Sequence, residues 1–88
     1  MEKQESHFIT VSGLEKGRLK RLDLRCKHHQ ILYYLLKGEQ FTSLALMHRF
    51  SVCDPQAEIR RIRAAGYPVG DKWAHGPGVR PHKIYFME

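Results

Sequence analysis

The run DPQAEIRRIRAAGYPV, residues 54 to 69, constrains the chain more than any other stretch, because both ends of a helix are written into it. Asp54 suits the N-cap, and Pro55 at the first helical position loses nothing, since that amide has no intrahelical acceptor. At the other end Gly66 can adopt the left-handed conformation that closes a helix, and Pro68 forbids its continuation. The spacing predicts a helix to about Ala65. On a 3.6-residue wheel Pro55, Ile59, Ile62 and Gly66 form an apolar stripe, while Gln56, Arg60 and Arg63 repeat that spacing one position on, with Arg61 beside them. A helix divided in this way needs a core beneath its first row and leaves the cationic row in solvent.

Two further helices precede it. Asp23 is the expected N-cap of LRCKHHQILYYLLKG, with Ile31, Leu32, Leu35 and Leu36 at helical spacing and Gly38 as the stop. Thr42 or Ser43 caps a shorter helix, LALMHRF, in which Leu44, Leu46 and Met47 are expected to turn inward and Phe50 closes the segment. After residue 66, Val69 and Trp73 flank one strand-like stretch and KIYFM forms another, in which one of Tyr85 and Phe86 should be core. GPG at 76 to 78 supplies the turn, in a loop expected to exceed a tight two-residue hairpin. Residues 7 to 12, HFITVS, suit a short strand or ordered arm, and Ser12 to Glu15 have the spacing of a capping box. The fold class is therefore α+β: three helices followed by a C-terminal hairpin, with residues 1–22 as an arm and 23–88 as the domain proper.

At 88 residues the chain makes one domain, and 42% hydrophobic residues suffice for its core. Fifteen Lys and Arg against nine Asp and Glu give a net charge of +6, which favours a polyanionic partner. No run of eighteen apolar residues is available to span a bilayer, and MEKQESHFITVSG lacks the basic-then-apolar layout of a secretory signal, so the expected location is the cytoplasm. Cys26 and Cys53 are expected as reduced, small buried hydrophobes. Cys26 and His29 share a helix face in CKHH, yet a structural zinc site needs four ligands, and no paired CxxC or HxxxH supplies the rest. No metal, cofactor or small-molecule substrate is expected. Neither a nucleophile elbow nor a glycine-rich phosphate loop is present, and the carboxylates are scattered, so no enzyme is expected.

Arginine forks take guanine edges or phosphates, and glutamine takes adenine. A helix that follows a short helix through a tight turn, docks one face and shows Gln56, Arg60, Arg61 and Arg63 on the other is arranged as the recognition helix of a helix-turn-helix. The order of elements extends this to a winged helix. The start of the second helix, at Thr42 and Ser43, and the cations Lys72, His75, Arg80, His82 and Lys83 of the hairpin would hold phosphates. Trp73 is expected to cover the edge of the core. KGRLKRLDLRCKHH carries six Lys or Arg between residues 16 and 29 against one acid, Asp23, and reads as a solvated face or a backbone-contacting arm.

FTSLALMHRFSVCDPQAEIRRIRAAGYPV, with KW at 72 and 73 and KIYF near the end, resembles the small helix-turn-helix domains common in bacteriophages and prophages, over roughly residues 24 to 87. The resemblance implies a winged helix-turn-helix that binds double-stranded DNA, in proteins that act as transcriptional regulators, excisionase-like factors or replication accessories. Two positions depart from the pattern: Ser51, where glycine is usual, and Glu58, where arginine is frequent. A module of this size buries a modest interface, so a homodimer is expected for tight binding. The rival reading is a winged helix that docks on a protein through Trp73 and the strand edge.

Overall fold

The helix expected from residue 54 is present as α3 (Pro55–Ala64), in a computed structural model that describes residues 7–88. Before it come β1 (Phe8–Ile9), a short 3-10 helix (Leu14–Lys16), β2 (Leu22–Asp23), α1 (Lys27–Leu36), β3 (Phe41–Thr42) and α2 (Ser43–Phe50). After it come β4 (Val69–Gly76) and β5 (Val79–Met87). The arm expected over residues 1–22 falls partly outside the described residues. So do residues 1–6 of the stretch read for a signal layout.

Helix ends follow local chemistry. Asp54 Oδ1 accepts the Ala57 amide at 3.2 Å, and Thr42 Oγ1 accepts the Ala45 amide at 3.0 Å. The C-termini of α1 and α3 close in the same way. Gly38 and Gly66 stand at φ of 97° and 96°, their amides donate to Leu35 O and Arg63 O, and the next amides, of Glu39 and Tyr67, reach back to Tyr34 O and Ile62 O. This is the Schellman arrangement, which satisfies carbonyls the helix leaves unpaired.

The start of α1 differs from expectation. Its N-cap is Cys26, and Asp23 lies three residues earlier in β2, paired with Phe8. The Asp23 carboxylate instead accepts from the amide and guanidinium of Arg25, all at 3.0 Å, while its own amide donates to His29 Nδ1 at 2.8 Å. Leu22, fully buried, pulls this segment into extended conformation and delays the helix. The capping box is also displaced: Gly13, not Ser12, precedes the 3-10 helix, and Glu15 Oε1 accepts the Gly13 amide at 3.2 Å.

Neither β2 nor β3 was anticipated. β3 pairs antiparallel with β5 through Phe41↔Tyr85 and Thr42↔Ile84, giving a sheet of order β3-β5-β4. Two residues are too few to show an alternating pattern, and Thr42 serves both as strand end and helix cap. The hairpin is tighter than expected. Gly76 pairs with Val79, so only Pro77 and Gly78 lie between the strands, with Gly78 at φ 73°. The register shifts between Ala74 and Gly76, which sets Arg80 and Pro81 against His75 alone. A bulge is where a strand tolerates a proline, because the extra residue has no ladder bond to give.

The core joins Ile31, Leu32 and Leu35 of α1, Leu46 and Phe50 of α2, Ile59 and Ile62 of α3, and Phe41 and Tyr85 of the sheet. Leu14 and Leu22 belong to the same cluster, so residues of the arm fill the same core as the domain proper. Tyr85 is the buried member of the Tyr85–Phe86 pair. Three expectations fail. Leu44 and Met47 of α2 are 62% and 41% exposed, because Leu46 and Phe50, four residues apart, occupy the inward stripe. Trp73 does not cover the core but is 60% exposed. Cys53 is exposed and Cys26 half-buried, so neither is a core residue.

Candidate nucleic-acid interface

The seating of α3 begins at the turn before it. Ser51 closes α2 in the left-handed region, at φ 56° and ψ 45°. Val52 then points into the core, 7% exposed, which pins the turn. Pro55, Ile59 and Ile62 are buried beneath α3, leaving Gln56, Arg60, Arg61 and Arg63 exposed. Beside them stands the hairpin. Strand alternation and the pairs Asp71↔Tyr85 and Trp73↔Lys83 put these four side chains on one face of the sheet. Between that face, α3 and the start of α2 run two adjoining clefts of about 670 and 230 Å³, both lined by Gln56, Lys83 and Tyr85.

The larger cleft gathers Thr42 and Ser43 from the start of α2, Gln56 from the first turn of α3, and Arg80, His82 and Lys83 from β5. The smaller adds Arg60 and Arg63. Most of the side chains singled out in the sequence thus border one continuous groove. Three do not line it. Lys72 sits on the opposite face of the sheet, its Nζ 5.4 Å from the Phe86 ring centre. His75 is exposed opposite the bulge, and Arg61 turns back to Glu58 at 3.0 Å.

The arginines of α3 differ in their partners. Arg63 Nε donates to Val69 O at 2.9 Å and its Nη2 to Asp71 Oδ2 at 3.0 Å, tying α3 to β4 and neutralising a carboxylate in the groove. Its guanidinium is engaged within the fold, against the free solvent row expected from the wheel. Arg61 and His28, the latter at 3.8 Å, both face Glu58, whose side chain is 15% exposed between α3 and α1. Burial, with His29 beside it, holds His28 below its ordinary value. Among the described residues Arg60 makes no hydrogen bond or ion pair and is exposed beside Gln56. Lys83 Nζ lies 5.4 Å from the Trp73 ring centre, a cation–π distance that leaves the ammonium at the groove edge.

Sequence reasoning missed three groove residues. Leu44 and Trp73 line the larger cleft and Asp71 the smaller. The alternation of β4 could have put Asp71 and Trp73 on one face, but only the pairing with β5 says which face looks at α3. Leu44 carries no such signal, because α2 has apolar residues on several sides.

The arm meets the far end of α3. Arg18 Nη2 donates to Ala64 O and the Arg18 amide to Ala65 O, the latter at 2.8 Å, so one cation of the basic KGRLKR stretch supports the helix C-terminus. Tyr67, buried, donates its hydroxyl to Leu14 O at 2.9 Å and accepts the Leu19 amide at 3.3 Å.

No group of three or more His, Cys, Asp or Glu among the described residues is placed to hold a metal ion. No helix among them is long and apolar enough to cross a membrane.

A helix-turn-helix of α2 and α3 flanked by an antiparallel hairpin is a winged helix, a class of DNA-binding module that is typically not enzymatic. The chain belongs to the winged helix-turn-helix domain family, whose sequence profile matches residues 27–87. Comparisons with curated proteins and with solved structures return no match.

Proposed function

We propose that this chain binds double-stranded DNA with α3 in the major groove. Gln56 and Arg60 face base edges, while Thr42, Ser43, Arg80, His82 and Lys83 contact phosphates. The reading is carried by one observation: the first turn of α3, the start of α2 and the β5 cations border one groove on a chain of net charge +6. His75 and Lys72, outside that groove, would reach flanking phosphates from the hairpin. Arg61 stays with Glu58, and Arg63 holds the hairpin in position.

The biological setting is a regulator of transcription or an excisionase-like factor of a phage or mobile element, acting in the bacterial cytoplasm. The resemblance of TSLALMHRF and AEIRRIRAAGYPV to phage domains supports it. Two copies on adjacent half-sites would supply the affinity a single small module lacks.

Titration of the chain against random duplex and genomic fragments at several salt concentrations tests the proposal. A preferred fragment, with affinity falling steeply as salt rises, is the expected result. A steep salt slope without a preferred fragment means sequence-independent binding. Absence of duplex affinity even at low salt removes the proposal and favours a protein-docking module, for which the exposed Leu44, Met47 and Trp73 would be the surface.

A further inference from the structure

We infer that Leu44 and Gln56 together read one A·T base pair, Leu44 against the thymine C5-methyl and Gln56 on the adenine edge. The inference rests on the DNA-binding reading above and adds a base preference to it.

A lone exposed leucine is ordinary on a protein surface. Leu44 is not alone. It is 62% exposed and lines the same cleft as Trp73, 60% exposed, and Gln56, the second residue of α3. The inward stripe of α2 is filled by Leu46 and Phe50, so packing within the chain makes no use of Leu44. The same cleft carries Arg80, His82 and Lys83. An apolar lining bounded by cations complements a polyanion that offers an apolar group between its phosphates. In the major groove of B-DNA that group is the thymine methyl. The partner base of the pair presents an acceptor and a donor, N7 and N6, which match the amide of Gln56. Residues in the first turn of a recognition helix are those that reach base edges, which is where Gln56 stands.

The test uses the intact chain and the duplex recovered by repeated selection from random sequence. Each thymine of that duplex is replaced in turn by deoxyuridine, which removes only the methyl. The expected result is a loss of roughly fourfold in affinity at one position, the size of one methyl taken out of apolar contact. Leu44→Ala should bind the thymine and uracil duplexes alike, and Gln56→Ala should lose preference for adenine at the same pair. Both side chains are exposed, so their melts should match the parent. If no thymine position responds, or if Leu44→Ala responds as the parent does, the inference is overturned while DNA binding stands. If selection recovers no duplex at all, the DNA-binding reading fails first.

Discussion

Ser51 shows how one backbone angle is decided by the chain around it. It sits at φ 56°, in the left-handed region that favours glycine. A side chain in the left-handed region costs about 1–2 kcal/mol, partly offset because serine has less freedom to lose on folding than glycine. Ser51→Gly should therefore raise stability by about 1 kcal/mol, read as a higher urea midpoint at unchanged slope. An unchanged midpoint would mean that the turn relaxes around serine without strain. Gly17 is the opposite case. A Cβ there would overlap the ring of Tyr67, whose hydroxyl is held by Leu14 and Leu19, so the ring has nowhere to move. Gly17→Ala should cost roughly 1–3 kcal/mol by overpacking, seen as a lower melting temperature. Beneath α3, Ile59→Ala or Ile62→Ala should cost roughly 2–5 kcal/mol, since each isoleucine is almost fully enclosed. A melt unchanged by both would mean that α3 is turned about its axis.

Among elements, the junction of α3 with β4 separates two arginines that look equivalent in sequence. Arg60 has no partner among the described residues, so Arg60→Ala should lower affinity for a preferred duplex by roughly 1–3 kcal/mol and leave the melt unchanged. Arg63 bridges to Val69 O and Asp71. Its side chain is 41% exposed, so solvent screens the ion pair and the coupling to Asp71 should be no more than about 1 kcal/mol in a double-mutant cycle of Arg63→Ala and Asp71→Asn. Arg63→Ala should lower both melting temperature and DNA affinity, because it releases the hairpin from the helix. A loss of affinity with no change in melt would instead make Arg63 a direct contact. Glu58 likewise joins two elements, facing Arg61 of α3 and His28 of α1. Arginine at this position would lose the acceptor that Arg61 and His28 share.

Across the whole molecule, the response to acid follows from groups at the start of α1. Burial lowers the pKa of His28 and of His29, and His29 must keep a lone pair on Nδ1 to accept the Asp23 amide. A base whose pKa is lower when folded than its ordinary 6.5 binds protons more readily in the unfolded chain. Stability from these groups is complete above about pH 6.5 and falls as pH drops below it. Asp23 acts later: the hydrogen bonds and charge of Arg25 lower it from 3.8 to about 2, so its contribution is present above pH 3.8 and fades toward about 2. Melts taken from pH 8 to pH 3 should show a first decline beginning near the histidine value, and His29→Gln should reduce that first decline. A flat profile down to pH 5 would mean that neither imidazole is disfavoured in its charged form.

Every helix end but the start of α1 was legible from local chemistry, because caps, Schellman glycines and a proline at the first turn act within four or five residues of one another. The stripe of α3 was legible too, since a charged row opposite isoleucines has only one stable orientation. Contacts between residues far apart in the chain decided the rest. β3 exists because β5 returns to pair with it, Asp23 left the helix because Leu22 is needed in the core, and Arg63 turned inward because Asp71 arrives beside it from another strand. The groove itself is of this second kind. A sequence can specify each side chain in it, but long-range packing sets which of them share one space.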